Sequence, residues 1–158
     1  MMNTIQSEHF SAALITLLDE TFDRVHGYFL DRNTSLFETL AGINADEASI
    51  PIGGRCATLA AQVKHTAFYL DVARNSILDP DYPGADWSEI WRTVGRVTPQ
   101  EWAAIQSELR LNYNRILNLI KETTEWPGED QIASIIAIIV HSAYHLGEIR
   151  QALCSIRP

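Results

Sequence analysis

Residues 130–155 read DQIASIIAIIVHSAYHLGEIRQALCS, and this stretch decides the fold. Its β-branched residues suit a buried strand as well as a helix. The length of the run and the lack of Gly or Pro before Gly147 favour helix. Ile135 to Val140 is apolar on every side of such a helix, which predicts that it is largely buried. His141 and His145 interrupt the run. Residues four apart lie about 40° from one another around a helix axis, so the two imidazoles share a face. Such a pair can grip one cation, or it can be a polar patch satisfied by hydrogen bonds. Burying two imidazoles with neither is costly.

Three more long helical patterns precede this one. The first runs from about Glu8 to Val25, with Phe10, Leu14, Leu17, Leu18, Phe22 and Val25 on one stripe, and His26-Gly27 breaks it. The second covers about Cys56–Ile77 and closes at Asp79-Pro80. The third opens at Thr98-Pro99-Gln100-Glu101, a capping box with Pro at the first helical position. It carries Trp102, Ile105, Leu109, Tyr113, Ile116 and Ile120 on one side and ends before Trp126-Pro127-Gly128. Between the first two lies a short helical piece at Ser35–Ala41, then a loop over Asn44–Gly54. Asp79–Val97 is a long connection whose Trp87 and Trp91 pin it to the helices. The expected architecture is an all-α four-helix bundle formed by one domain over residues 1–158.

Composition narrows the function. The chain has 158 residues and a net charge of −8, which disfavours nucleic acid and anionic membranes as partners. Ile132–Val140 is too short an unbroken apolar run to span a bilayer. Residues 1–8 lack the basic and apolar regions of a leader, so the cytoplasm is the expected location. Cys56 and Cys154 are expected as free, mostly buried thiols.

A third ligand would complete a metal site. On the second long helix Thr58, Gln62 and Tyr69 fall within about 60° of His65, a polar line beside the apolar stripe of Leu59, Val63, Ala67, Leu70 and Ile77. His65 facing His141 and His145 gives three nitrogen ligands and leaves room for water or substrate. Cys56 and Cys154 each lie nine residues from a His and fall on the opposite helix face. His9 reads as solvated, and His26 as a complement to a helix dipole. Glu148 lies within about 60° of both His141 and His145. It is a candidate to orient a His, to ligate, or to act as general base, and equally a candidate for an ion pair with a Lys or Arg, Arg150 being the local one.

These residues resemble the DinB-like (YfiT-like) metal-dependent superfamily. The resemblance rests on His65 within Ala60–Tyr69, on Trp87–Trp91 leading to Thr98–Trp102, and on His141 to Gln151, which is similar to the family's HxxxHxGQ run. It covers roughly Leu14 to Leu153; Glu148 stands where Gln is frequent in the family. The resemblance implies an up-down-down-up bundle, often a homodimer, holding a divalent metal such as zinc or nickel on His65, His141 and His145. It also implies a spread of activities. These include S-transferases that use bacillithiol, mycothiol or glutathione, and mycothiol-dependent isomerases. A thiol S-transferase acting on a small electrophile, with Glu148, Gln62 and Tyr69 orienting groups or accepting protons, is one expectation. A metal-dependent hydrolase and a non-catalytic bundle that binds metal or a small ligand are the others.

Overall fold

The computed structural model describes residues 5–54 and 56–157, and among these the chain is all-helical, with no strand. The stretch 1–8 read for a leader therefore lies partly, at residues 1–4, outside the described residues. Seven α-helices follow one another: α1 (Ser7–Phe22), α2 (Leu36–Leu40), α3 (Ala45–Ala48), α4 (Leu59–Leu78), α5 (Glu89–Thr93), α6 (Pro99–Glu122) and α7 (Glu129–Ile156). The four long ones pack in a cycle: α4 lies against α6 and α7, and α1 lies against the same two.

The starts of α3, α4 and α6 have a local cause. The Thr98 hydroxyl accepts from the Glu101 N–H at 3.2 Å while the Glu101 carboxylate accepts from the Thr98 N–H at 2.7 Å, so the capping box read from sequence forms. Trp102, Ile105, Leu109, Tyr113, Ile116 and Ile120 are all buried along α6, as their spacing predicts. Thr58 caps α4 by accepting from the Ala61 N–H, so this helix begins at Leu59 rather than at Cys56. Within 44–54 the expected loop gives way to a turn of helix, α3. There Asn44 and Glu47 exchange side-chain bonds with each other's backbone N–H. Arg157 then clamps Glu47, with Nε 2.7 Å from the carboxylate, and fastens α3 to the end of α7.

α1 stops at Phe22, earlier than the periodicity suggests, because the chain turns back around a carboxylate. Glu20 is fully buried and accepts from the backbone N–H groups of Tyr28, Phe29 and Leu30 at 3.0, 2.9 and 2.8 Å. Burial pushes its pKa up, but the backbone donors outweigh that and hold it below the ordinary carboxylate range. The loop after α1 is thus fixed by an ionised side chain that the apolar pattern around it conceals.

α7 departs from its expected burial. Ile135, Ile138, Ile139, Ser142, His145, Leu146, Ile149 and Ala152 are buried, but Ile136, Val140 and Tyr144 on the other side are exposed. One flank packs on α1 and α4; the opposite flank is apolar yet uncovered. By length and composition alone α7 is also apolar enough to cross a membrane, which the shorter run Ile132–Val140 had argued against; a core helix passes the same test. The cysteines are exposed, not buried. Cys56 precedes α4 instead of lying in it, and Cys154 sits on an outward turn of α7.

Replacing Glu20 by Gln leaves three backbone donors facing a weaker, neutral acceptor. Urea denaturation at pH 7 is expected to show a loss of about 1.5–3 kcal/mol. A change below about 0.5 kcal/mol would mean that the loop does not depend on this charge.

Candidate metal centre

Three imidazoles meet where α4 lies against α7. His65 comes from the middle of α4, and His141 and His145 from successive turns of α7. One nitrogen from each ring lies within 4.8 Å of the other two, close enough for all three to hold one metal ion. Among the described residues this is the one such group of His, Cys, Asp or Glu side chains, and neither cysteine joins it. The Nε2 atoms of His65 and His141 stand 3.3 Å apart. Two nitrogens bound at 2.0–2.1 Å to one tetrahedral ion stand about 3.3 Å apart, so the spacing fits a shared ligand role.

Hydrogen bonds leave this cluster incomplete. His65 Nδ1 and His141 Nδ1 are buried and have no partner. His145 differs: its Nδ1 lies 2.8 Å from the Gln62 Oε1 and 2.8 Å from a Glu148 carboxylate oxygen. With two acceptors in front of it, Nδ1 carries the proton and donates. The lone pair is thereby assigned to Nε2, the tautomer a metal-binding imidazole with an orienting carboxylate adopts. Glu148 stands against a histidine and not against Arg150. It pairs with His145, whereas Arg150 donates to the Thr39 hydroxyl.

Electrostatics keep the rings neutral. Burial pushes the pKa of His65 down to about 4, with the neighbouring His145 adding to the effect and Glu148 opposing it. His141 is likewise lowered to about 4, by burial first and then by His145 and His65. Burial lowers His145 as well, against the pull of the Glu148 carboxylate. A metal ligand must present a lone pair, and all three rings do so at neutral pH.

Aromatic rings wall the cluster. Tyr69 stacks flat on His141, with centroids 3.6 Å apart and an interplanar angle of 12°. Burial raises its phenol pKa above the usual 10.0, so Tyr69 stands beside His141 as a neutral phenol at neutral pH. Trp91 lies over His65 at 4.6 Å between centroids, and Trp87 touches His65, Phe68 and Tyr69. The two tryptophans were expected to pin the 79–97 connection; the structure places them on the metal candidate itself. Their spacing of four, matched to the spacing of His65 and Tyr69, is the signal that could have shown it. The remaining histidines stand apart. His9 is exposed, and His26 bonds Asp19 with Nε2 at 2.6 Å instead of capping a helix by charge alone.

On the far side of His145, Gln62 and Glu148 line a mostly apolar cavity of about 520 Å³ with Ile52, Tyr144 and Ala152. Small molecules therefore have access to the two groups that orient His145. Comparison with family models, with curated proteins and with solved structures finds no match for this chain.

The lowered pKa values set a pH window for the metal-free protein. In the unfolded chain the imidazoles take up protons near pH 6.5, whereas in the folded chain His65 and His141 do so only near 4. Their contribution is therefore complete above 6.5 and declines as the pH falls toward 4. Urea midpoints of metal-stripped protein are expected to fall between pH 7 and 5, with a shallower slope when His65 and His141 are both replaced by Ala. A midpoint that rises on acidification would contradict the neutral, buried state of the rings.

Proposed function

We propose that this protein is a metal-dependent enzyme of the thiol S-transferase type, built as a DinB-like four-helix bundle of up-down-down-up order. The observation that carries the proposal is the trio of neutral imidazoles with His145 already held in its ligand tautomer by Gln62 and Glu148. His65, His141 and His145 would hold a divalent ion, and among the metals that imidazoles suit the resemblance points to zinc or nickel. Such an ion, when bound, supplies Lewis acidity that lowers the pKa of a thiol or water in its reach.

The chain's own groups do the rest. Gln62 and Glu148 fix the His145 ring and make its Nε2 more basic. Glu148 is only partly exposed and is the carboxylate nearest the imidazoles; by accepting the His145 Nδ1–H it keeps the Nε2 lone pair turned to the ion side, so a proton given up by a substrate thiol would reach it only by way of this ring or water. Tyr69, Trp87 and Trp91 set flat apolar surface against His65 and His141, and the half-exposed tryptophans offer it to a small electrophile. A low-molecular-weight thiol is the co-substrate that the resemblance implies, and neither Cys56 nor Cys154 belongs to the cluster to take its place. Two supports from elsewhere complete the reading. The apolar stripe Ile136, Val140 and Tyr144 on α7 supports a homodimer, and two free, exposed thiols support a reducing, cytoplasmic setting. The charge of −8 supports a small molecule rather than nucleic acid as partner.

Zinc- or nickel-loaded protein should accelerate the loss of an electrophile such as 1-chloro-2,4-dinitrobenzene in the presence of glutathione, cysteine or a glycosylated cysteinyl thiol. Glu148→Leu should lower metal affinity or turnover about 10–100-fold, and His65→Ala should abolish turnover. Turnover of ester or amide substrates without thiol would favour metal-assisted hydrolysis. Inactivity with every thiol tested would refute the transferase reading.

A further inference from the structure

A second cleft, of about 420 Å³, lies on the other edge of α7, between this helix and the loop that Glu20 holds. Phe29, Leu30, Ala143 and Leu146 give it apolar walls, and Arg150, Gln151 and Cys154 supply its polar groups. Arg150 is partly buried, and its guanidinium has no carboxylate within 4 Å among the described residues. Its hydrogen-bond partner is the Thr39 hydroxyl, at 3.3 Å. Most arginines of this chain are placed differently: Arg24, Arg92, Arg110, Arg115 and Arg157 each pair with an acid, and Arg32 and Arg96 are exposed. Arg74 is also partly buried without an acid within 4 Å among the described residues, but it lines neither cavity beside Gly147. A guanidinium is charged at every accessible pH and presents a planar fork of donors that a carboxylate matches with two bonds. In a protein this acidic, a partly buried cation that no Asp or Glu neutralises, set at the edge of an apolar cleft, is open to an external carboxylate.

We infer that this cleft binds a small organic acid, with the carboxylate on Arg150 and the apolar body between Phe29, Leu30 and Leu146. The cleft is prepared in advance. Three backbone bonds to Glu20 fix the Phe29–Leu30 wall, so a ligand does not have to order that loop. Gly147 and Gln151 belong both to this cleft and to the cavity bordered by Gln62 and Glu148. Gly147 leaves the helix surface bare between them: a side chain built there meets nothing within 4 Å. A ligand anchored on Arg150 and extended across Gly147 comes up against Glu148, the residue that orients His145. Binding at Arg150 itself does not rest on the three histidines holding an ion.

Isothermal titration of the full chain with acetate, hexanoate, phenylacetate and phenylacetamide tests this. Hexanoate or phenylacetate should bind at least tenfold more tightly than both acetate, which lacks the apolar body, and phenylacetamide, which lacks the charge. Arg150→Gln should weaken the better acid at least tenfold, and Arg150→Lys by less. Gly147→Leu fills the bare surface and replaces a helical glycine, so it should raise Tm while weakening binding. That variant therefore separates a blocked cleft from an unfolded protein. Unchanged affinity in His65→Ala would support the site as separate from the metal centre and keep it standing even if the metal reading fails. Equal binding of acid and amide, no binding of any acid at millimolar concentration, or full affinity in both Arg150→Gln and Gly147→Leu would overturn the inference.

Discussion

The structure depends on keeping three imidazoles neutral and close together in the contact between α4 and α7. Like-charged rings at this distance repel, and burial already penalises the charged form, so His65 and His141 resist protonation to about pH 4. Neutral rings, however, bring lone pairs and N–H groups that need partners. Gln62 and Glu148 satisfy His145, while the Nδ1 atoms of His65 and His141 have none. A purely structural polar patch would be expected to close its own hydrogen bonds. This one leaves the Nδ1 atoms of His65 and His141 without partners, holds their Nε2 atoms 3.3 Å apart, and sets flat aromatic rings against them.

The elements around the centre are held by charged side chains used as staples. Glu20 fixes the turn after α1, and Glu47 and Arg157 join α3 to the last turn of α7. The Arg157 guanidinium pulls the Glu47 carboxyl down to about 2, and the Asn44 backbone N–H adds to that effect. Both staples act on short connections, leaving the long helices to pack through apolar stripes. The result is a rigid frame with cavities on both edges of α7 at Gly147, the position where the helix has no side chain.

Much of this was legible in the sequence, for specific reasons. Thr98-Pro99-Gln100-Glu101 marked the start of α6 because a capping box is local chemistry, and the six apolar residues after it are all buried. His65, His141 and His145 were brought together by counting helix faces, which works where helices are regular and in contact. Three features were hidden. The exposed flank of α7 carries Ile136 and Val140, residues no pattern distinguishes from Ile135 and Ile139. Glu20 reads as a surface acid because its partners are backbone N–H groups eight to ten residues away, which sequence spacing does not reveal. Cys56 was placed inside a helix that Thr58 in fact begins, so its exposure followed from a cap missed by three residues.

The central claim is that His65, His141 and His145 together bind one divalent ion. Its most direct measurement is X-ray absorption at the metal edge, with stoichiometry, on protein purified without a histidine tag and equilibrated with zinc or nickel. The account predicts close to one ion per chain with about three imidazole nitrogens near 2.0–2.1 Å, and loss of that signal in His65→Ala and in His141→Ala. Substoichiometric metal, or a full complement unchanged by those substitutions, would contradict it.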